Sequence, residues 1–233
     1  MRVELLSNQS QTIAQAQLEP QEELIAQAGA LLALQGDFKI NTFMRRGRES
    51  GKGKMFQAPS KSLFLQSFKA GEEGGTLYLA PALVGNLAQY QMSKYKFIVR
   101  HSSYLACDGK IELFVGFESF KAKAGTENST WLSLVGDGAV LVSGLGGIYP
   151  VEVAGDYTIS LEHIVAFENT LKTKVLPKNQ LANGAGVFCQ FKGEGLLYCQ
   201  THRPKAMARR LEHGALPENF KLHRRDQSFK LRT

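Results

Sequence analysis

Five histidines, three cysteines and scattered carboxylates are the residues of this 233-residue chain that could bind a metal or move a proton. His101, His163, His202, His213 and His223 form no H-x-H or H-x-x-x-H pair, and no cysteine stands at ligand spacing from any of them. The spacings that place two imidazoles on one side of a metal are therefore missing. Cys107, Cys189 and Cys199 are odd in number and contain no C-x-x-C. That argues against a disulfide framework and a zinc knuckle and fits a reducing compartment. Ser102, Ser103 and Ser160 lie outside any G-x-S-x-G. The nearest approach to a phosphate loop, GRESGKGK from Gly47, lacks a Ser or Thr after Gly-Lys and has no strand-to-helix setting. The expectation is a protein with no catalytic residue, metal or cofactor, and so not an enzyme. His163 and Glu168 remain as a candidate ligand or structural site, because they depart from a repeat described below. Glu152 and Glu162 are nearby carboxylates, and acid–base work there would require burial.

Charge is the other resource. Of the net +7, residues 41–61 carry +5 and residues 201–233 carry +6, which leaves −4 on the remainder. A basic loop and a basic tail on a mildly acidic body suit an anionic membrane surface or nucleic acid. The residues that would make the contact are Arg45, Arg46, Arg48, Lys52, Lys54, Arg209, Arg210, Arg224 and Arg225. Phe43, Phe56, Phe220 and Phe229 are interspersed with them but form no stacking platform. Plain solvated charge is the competing reading.

The elements that must position these residues are strands. WLSLVGDGAVLVS from Trp131 sets Asp-Gly between two apolar runs, a hairpin signal. FCQFKGEGLLYCQ from Phe188 matches it position for position, and LFLQSFKAGEEGGTLYLA from Leu63 is a third copy with a longer turn. The opening VELLSNQSQTIAQAQL is a weaker fourth. If Lys192 pairs Leu196 across its turn, Cys189 faces Cys199, either as a reduced core pair or as a cross-strand disulfide or redox site. A second motif recurs around Ala33, Ala106 and Ala166: LIAQAGALLALQGD, FIVRHSSYLACDGK and YTISLEHIVAFENT. Alternating hairpins and modules imply an all-β fold, a sandwich or barrel built from repeated hairpin units. Loops at 41–61, 114–130 and 176–186 fall at equivalent places, the second with room for a short helix. Residues 1–204 make one domain. Residues 205–233 make a basic C-terminal arm, helical at its start over Lys205 to Leu211. No apolar run approaches the roughly 18 to 20 residues of a membrane span, and the N-terminus lacks a secretory core. A cytoplasmic protein is expected.

Six segments in order carry a resemblance: IAQAGALLALQGDFKI from Ile25, SLFLQSFKAGEEGGTLYLAP from Ser62, FIVRHSSYLACD from Phe97, GDGAVLVSGLGGI from Gly136, HIVAFE from His163 and GVFCQFKGEGLLYCQT from Gly186. Over residues 20 to 202 the chain resembles the family named for the mitochondrial altered-inheritance protein of yeast. The resemblance implies a β-sandwich of double-stranded β-helix type, akin to the tryptophan RNA-binding attenuation protein, and a homo-oligomer, often a trimer. It implies no enzymatic activity. The basic residues from Arg45 to Lys54, and the arm after Pro204, depart from the family pattern.

Overall fold

Alternation decides the simplest strands. In QTIAQAQL, every second residue from Thr12 to Leu18 is buried while its neighbours face outward, the period of a strand covered on one face. YLACD and IVAFE instead bury four successive residues each, which requires apolar packing on both faces.

The structure, a computed structural model, describes residues 1–8, 11–46, 62–93, 95–115, 131–176, 187–204 and 206–208. Its strands are β1 (Arg2–Asn8), β2 (Gln11–Leu18), β3 (Glu23–Gln27), β4 (Leu31–Arg46), β5 (Ser62–Leu79), β6 (Leu87–Met92), β7 (Phe97–Arg100) and β8 (Tyr104–Asp108). They continue as β9 (Glu112–Val115), β10 (Trp131–Val135), β11 (Gly138–Ser143), β12 (Ile148–Ser160), β13 (Ile164–Glu168), β14 (Lys172–Val175) and β15 (Phe188–Gln200). Single 3-10 turns, His101–Ser103 and Leu161–His163, link β7 to β8 and β12 to β13. The expected all-β architecture is present as two antiparallel sheets. One runs β1-β2-β5-β3-β8-β11-β6 with β4 on β5; the other runs β12-β15-β13-β7-β10-β9 with β14 on β15.

Only the opening hairpin pairs as expected, β1 on β2 from Arg2 opposite Gln17 to Asn8 opposite Gln11. The other three are not hairpins. β5 runs unbroken through its GEEGG segment and lies along the whole of β4. β15 runs unbroken through Gly193-Glu194-Gly195 against β12, from Ser160 opposite Phe188 to Ile148 opposite Gln200. β10 and β11 do not pair with each other: Gly136 and Gly138, at φ +134° and +143°, turn the chain from one sheet into the other. Glycine at these places makes a corner, because a positive φ reorients the strand where a Cβ would be strained. The pairing of Cys189 with Cys199 is corrected with the hairpin. Cys189 lies opposite Ile159 and Val175, Cys199 opposite Tyr149 and Ile164, and all three cysteines are free and buried. Of the loop expected at 41–61, residues 41–46 instead continue β4, and residues 47–61 lie outside the described residues.

Each glycine corner encloses one apolar cluster. Phe68, Ala70, Leu77 and Leu79 from the two halves of β5 meet Ala14, Ala16, Leu18 and Leu105. Leu132, Leu134, Val140 and Val142 from β10 and β11 meet Tyr104, Cys107, Val99 and Val165. Cys189, Phe191, Leu197 and Cys199 from β15 meet Ile98, Ile164 and Phe167. Successive residues of β8 serve the first and second clusters, and successive residues of β7 the second and third. The clusters are therefore stacked with sheet between them, and the second is innermost. Edge-on rings, Trp131 on Phe167 at 5.9 Å and Phe167 on Phe191 at 5.1 Å, add about 0.5–1.5 kcal/mol per pair beyond area burial. Beyond β15, Pro204 and residues 206–208 are helical, with Met207 N–H donating to the Arg203 carbonyl at 3.1 Å. Residues 116–130 and 177–186, and the arm from 209 onward, lie outside the described residues.

Candidate functional site

His163 and Glu168 bracket β13, with four residues between them. At ~3.3 Å per strand residue their Cα atoms stand roughly 16 Å apart, too far to share a proton or a ligand atom. The 3-10 turn places the His163 ring against β15, where Nδ1 lies 2.8 Å from the Gln200 carbonyl. A carbonyl only accepts, so Nδ1 carries the hydrogen. Gln200 is itself buried, with a partner at each end of its amide: its Nε2 donates to the Glu162 carbonyl at 2.8 Å and its Oε1 accepts from Leu145 N–H at 3.0 Å. His163 thus helps lock the end of β15 to the turn ahead of β13.

Glu168 performs a similar task at the other end of the strand. Its Oε1 accepts from the Tyr90 hydroxyl at 2.5 Å and its Oε2 from Leu196 N–H at 2.9 Å. One carboxylate therefore ties β6, β13 and β15 together. Tyr90 stacks on Phe97 at 4.1 Å, and Tyr198 meets both rings edge-on. Burial first, and the bond to Glu168 second, push the Tyr90 phenol well above its ordinary range. Glu162 belongs to the 3-10 turn rather than to a straight strand with Glu168, which removes the shared face expected for them.

All three cysteines are free and buried. Burial pushes each of the Cys107, Cys189 and Cys199 thiols up to about 12. That direction disfavours the thiolate, the form that attacks or exchanges. Among the described residues no group of three His, Cys, Asp or Glu side chains is placed to hold a metal ion. No helix among them is long and apolar enough to cross a membrane.

Of the basic residues, Arg45 is exposed near the end of β4, its guanidinium carbon 5.7 Å from the Phe43 ring centroid, and Arg46 closes the strand. Arg48, Lys52, Lys54, Arg209, Arg210, Arg224 and Arg225 lie outside the described residues. An open cleft of about 520 Å³ at the bend of β5 is lined by Glu19, Asp37, Glu72 and Glu73 beside Gly74 and Gly75.

Residue-by-residue motif reading missed the apolar surface of β4 and β5. Leu32 is 59% exposed, Leu34 42%, Ile40 43% and Phe64 58%. The signal was present in the string: Leu31-Leu32-Ala33-Leu34 is apolar at every position, the composition of a strand covered on both faces. Yet among the described residues β4 pairs with β5 alone.

The comparisons with known proteins agree with this architecture. An uncharacterised protein of Streptococcus pyogenes serotype M6 is 24% identical over 203 residues, 81% of each chain. The crystal structure of protein SPYM3_0169 from Streptococcus pyogenes superposes with a TM-score of 0.71 at 20% identity, over 91% of this chain and 98% of that one. At that identity the likeness concerns the fold. The family profile described as Mitochondrial biogenesis AIM24 matches residues 3–202, and the chain belongs to that family.

Proposed function

We propose that this chain is a non-catalytic, oligomeric interaction protein of the cytoplasm, a scaffold whose contact surface is carried by β4 and β5. The observation that carries this reading is the exposure of Leu32, Leu34, Ile40 and Phe64 on one edge strand and its partner. Large apolar side chains grouped along an edge mark a surface that another chain covers. The non-catalytic part rests on what the best candidates are engaged in. His163 and Glu168 are held by fixed hydrogen bonds at opposite ends of β13, and the thiols are silenced by burial. A trimer and a double-stranded β-helix topology akin to the tryptophan RNA-binding attenuation protein accompany this reading through the family resemblance. Sedimentation equilibrium tests it: an assembly of several chains is expected at micromolar concentration, and a single-chain mass up to 100 μM overturns it.

Exposed Arg45, at the entry to the basic loop, favours a second reading, in which loop and arm bind an anionic membrane surface or nucleic acid. Retention on heparin should then fall with salt, and fall further in Arg45/Arg46/Arg48→Ala or on truncation at Pro204. Retention unchanged by both variants rejects it.

A further inference from the structure

Two seams join the three glycine-cornered parts of the chain, and their geometry is identical. At the first, β3 pairs β8 with Leu24 opposite Asp108, Ile25 opposite Cys107 and Ala26 opposite Ala106, and Gly109 N–H donates to the Glu23 carbonyl at 2.8 Å. At the second, β7 pairs β13 with Phe97 opposite Glu168, Ile98 opposite Phe167 and Val99 opposite Ala166, and Asn169 N–H donates to the Lys96 carbonyl at 2.9 Å. Aligning the chain on Ala33, Ala106 and Ala166 superimposes these registers residue for residue.

The same alignment names the two strands of a third seam. The counterpart of β3 and β7 is the second half of β12, residues 156–160. The counterpart of β8 and β13 is the first half of β4, residues 31–36. Among the described residues β12 pairs only with β15 and β4 only with β5, so both outer edges carry no strand. The side chains register the difference. Leu105, Ala106 and Cys107 on β8 and Val165, Ala166 and Phe167 on β13 are all at or below 2% exposure, whereas Leu32, Ala33 and Leu34 on β4 are exposed. Residues 31–35 also carry no charge and no proline, the usual guards of a free edge.

One chain cannot close this seam on itself. The β4 edge belongs to the sheet half that walls the first apolar cluster, the β12 edge to the half that walls the third, and the second cluster with its two sheets lies between. We propose that the missing strand is supplied by a second copy of this chain. β4 of one copy pairs antiparallel with β12 of the next, Gln35 opposite Tyr157, Leu34 opposite Thr158 and Ala33 opposite Ile159, with Gly36 N–H donating to the Asp156 carbonyl. Each copy presents both edges, so the contact is head-to-tail and builds a ring or a row. This rests on the reading of the chain as an oligomeric interaction protein and supplies its interface.

The register gives a sharp test. Gln35 and Tyr157 correspond to the pairs Asp108/Leu24 and Glu168/Phe97, which alternate with hydrogen-bonded pairs and therefore bring side chains close enough for a disulfide. A Gln35→Cys/Tyr157→Cys chain, mildly oxidised, should give a ladder of covalent multimers on a non-reducing gel. Mixing the two single variants should give covalent dimers and nothing larger, and neither single variant should cross-link alone. Leu34→Arg, at a position exposed in the single chain, should weaken association roughly thirtyfold or more with native circular dichroism. Phe114→Arg, on the exposed face of β9, should not. Dimers from Gln35→Cys alone would show a two-fold β4–β4 contact and overturn the proposal. So would cross-linked single chains, or no cross-link while sedimentation still reports an assembly; the oligomeric reading would then stand with its interface elsewhere. A single-chain mass for the unaltered protein would remove both.

Discussion

Glu168 offers the most discriminating perturbation, because a structural and a functional carboxylate predict opposite results. It accepts hydrogen bonds from Tyr90 and from Leu196 N–H, on two other strands, in a half-buried setting. A hydrogen bond to a charged group contributes about 1.5–3 kcal/mol, and Glu168→Ala leaves both donors without their acceptor. Allowing for water reaching a half-buried site, the loss should be about 3 kcal/mol. With a urea m-value of about 3 kcal/mol/M for a chain of this size, the unfolding midpoint falls by about 1 M. Glu168→Gln keeps an oxygen for Leu196 N–H and an amide that the Tyr90 hydroxyl can accept, so it should lose only the charge assistance, about 1 kcal/mol. Tyr90→Phe should lose about 1–2 kcal/mol, and combining it with Glu168→Ala should fall short of additivity by about 1 kcal/mol. Urea titration followed by Trp131 fluorescence measures all four. A midpoint within about 0.2 M of the parent for Glu168→Ala, or strict additivity with Tyr90→Phe, would refute the account of Glu168 as a strand tie and return it to the list of functional candidates.

Two further results follow from the corners and the thiols. Gly138 has φ +143° and a Cβ there would stand 2.7 Å from the Asp108 Cβ, whereas Gly155, at φ +105°, has nothing within 4 Å of that position. Gly155→Ala should therefore cost about 1 kcal/mol from backbone strain alone, and Gly138→Ala about 2–3 kcal/mol from strain plus crowding, by urea midpoint; equal costs would contradict the corner geometry. With thiols ordinarily near 9 raised by burial to about 12, native protein at pH 8 should leave all three cysteines unreacted with an aromatic disulfide reagent until it unfolds. Their contribution to stability is full below about pH 9 and is lost as pH rises towards 12, because the unfolded thiols ionise first. A melting temperature unchanged from pH 8 to 11 would show that they do not feel the core.

How much of this was legible in the string depends on the range of the contact involved. Apolar runs such as YLACD and IVAFE announce strands buried on both faces, and that is what β8 and β13 are. The glycine stretches read as hairpin turns, but the strands beside them pair with other strands and not with each other. Asp-Gly between apolar runs is satisfied equally by a hairpin, whose strands pair with each other, and by a corner, whose strands pair with others. Gly136-Asp137-Gly138 is the second kind, and the choice is made by β7, β8 and β6, distant in sequence. Residues 139–142 held a clue, since four successive buried positions need a strand on either side and a cluster on either face. A two-stranded hairpin supplies neither. His163 and Glu168 stood out from the aligned segments for a real reason, but the reason is tertiary. Their partners, Gln200, Tyr90 and Leu196, are 28 to 78 residues away and carry no motif that would connect them.

The sequence of β4 and its position disagree, and the disagreement has a size. An inner strand earns an unbroken apolar run because both faces and both edges are covered, as they are for β8 and β13. At the edge, Leu32 and Leu34 remain roughly half exposed. Full burial of a leucine contributes about 1.5–3 kcal/mol, so a lone chain forgoes on the order of 2 kcal/mol across these two side chains. The backbone groups along that edge add to it only if another strand meets them, since water already satisfies them in the single chain. Two kilocalories is too little to hold two chains together against lost rotational and translational freedom, and a strand alone would not suffice. What would raise the total is that the proposed contact repeats, in the same register, a seam the chain already forms twice. The partner surface is therefore ordered before binding, and little further conformational entropy is lost when it meets its complement. In the proposed assembly β4 would become an inner strand, which would reconcile its inner-strand sequence with its outer position.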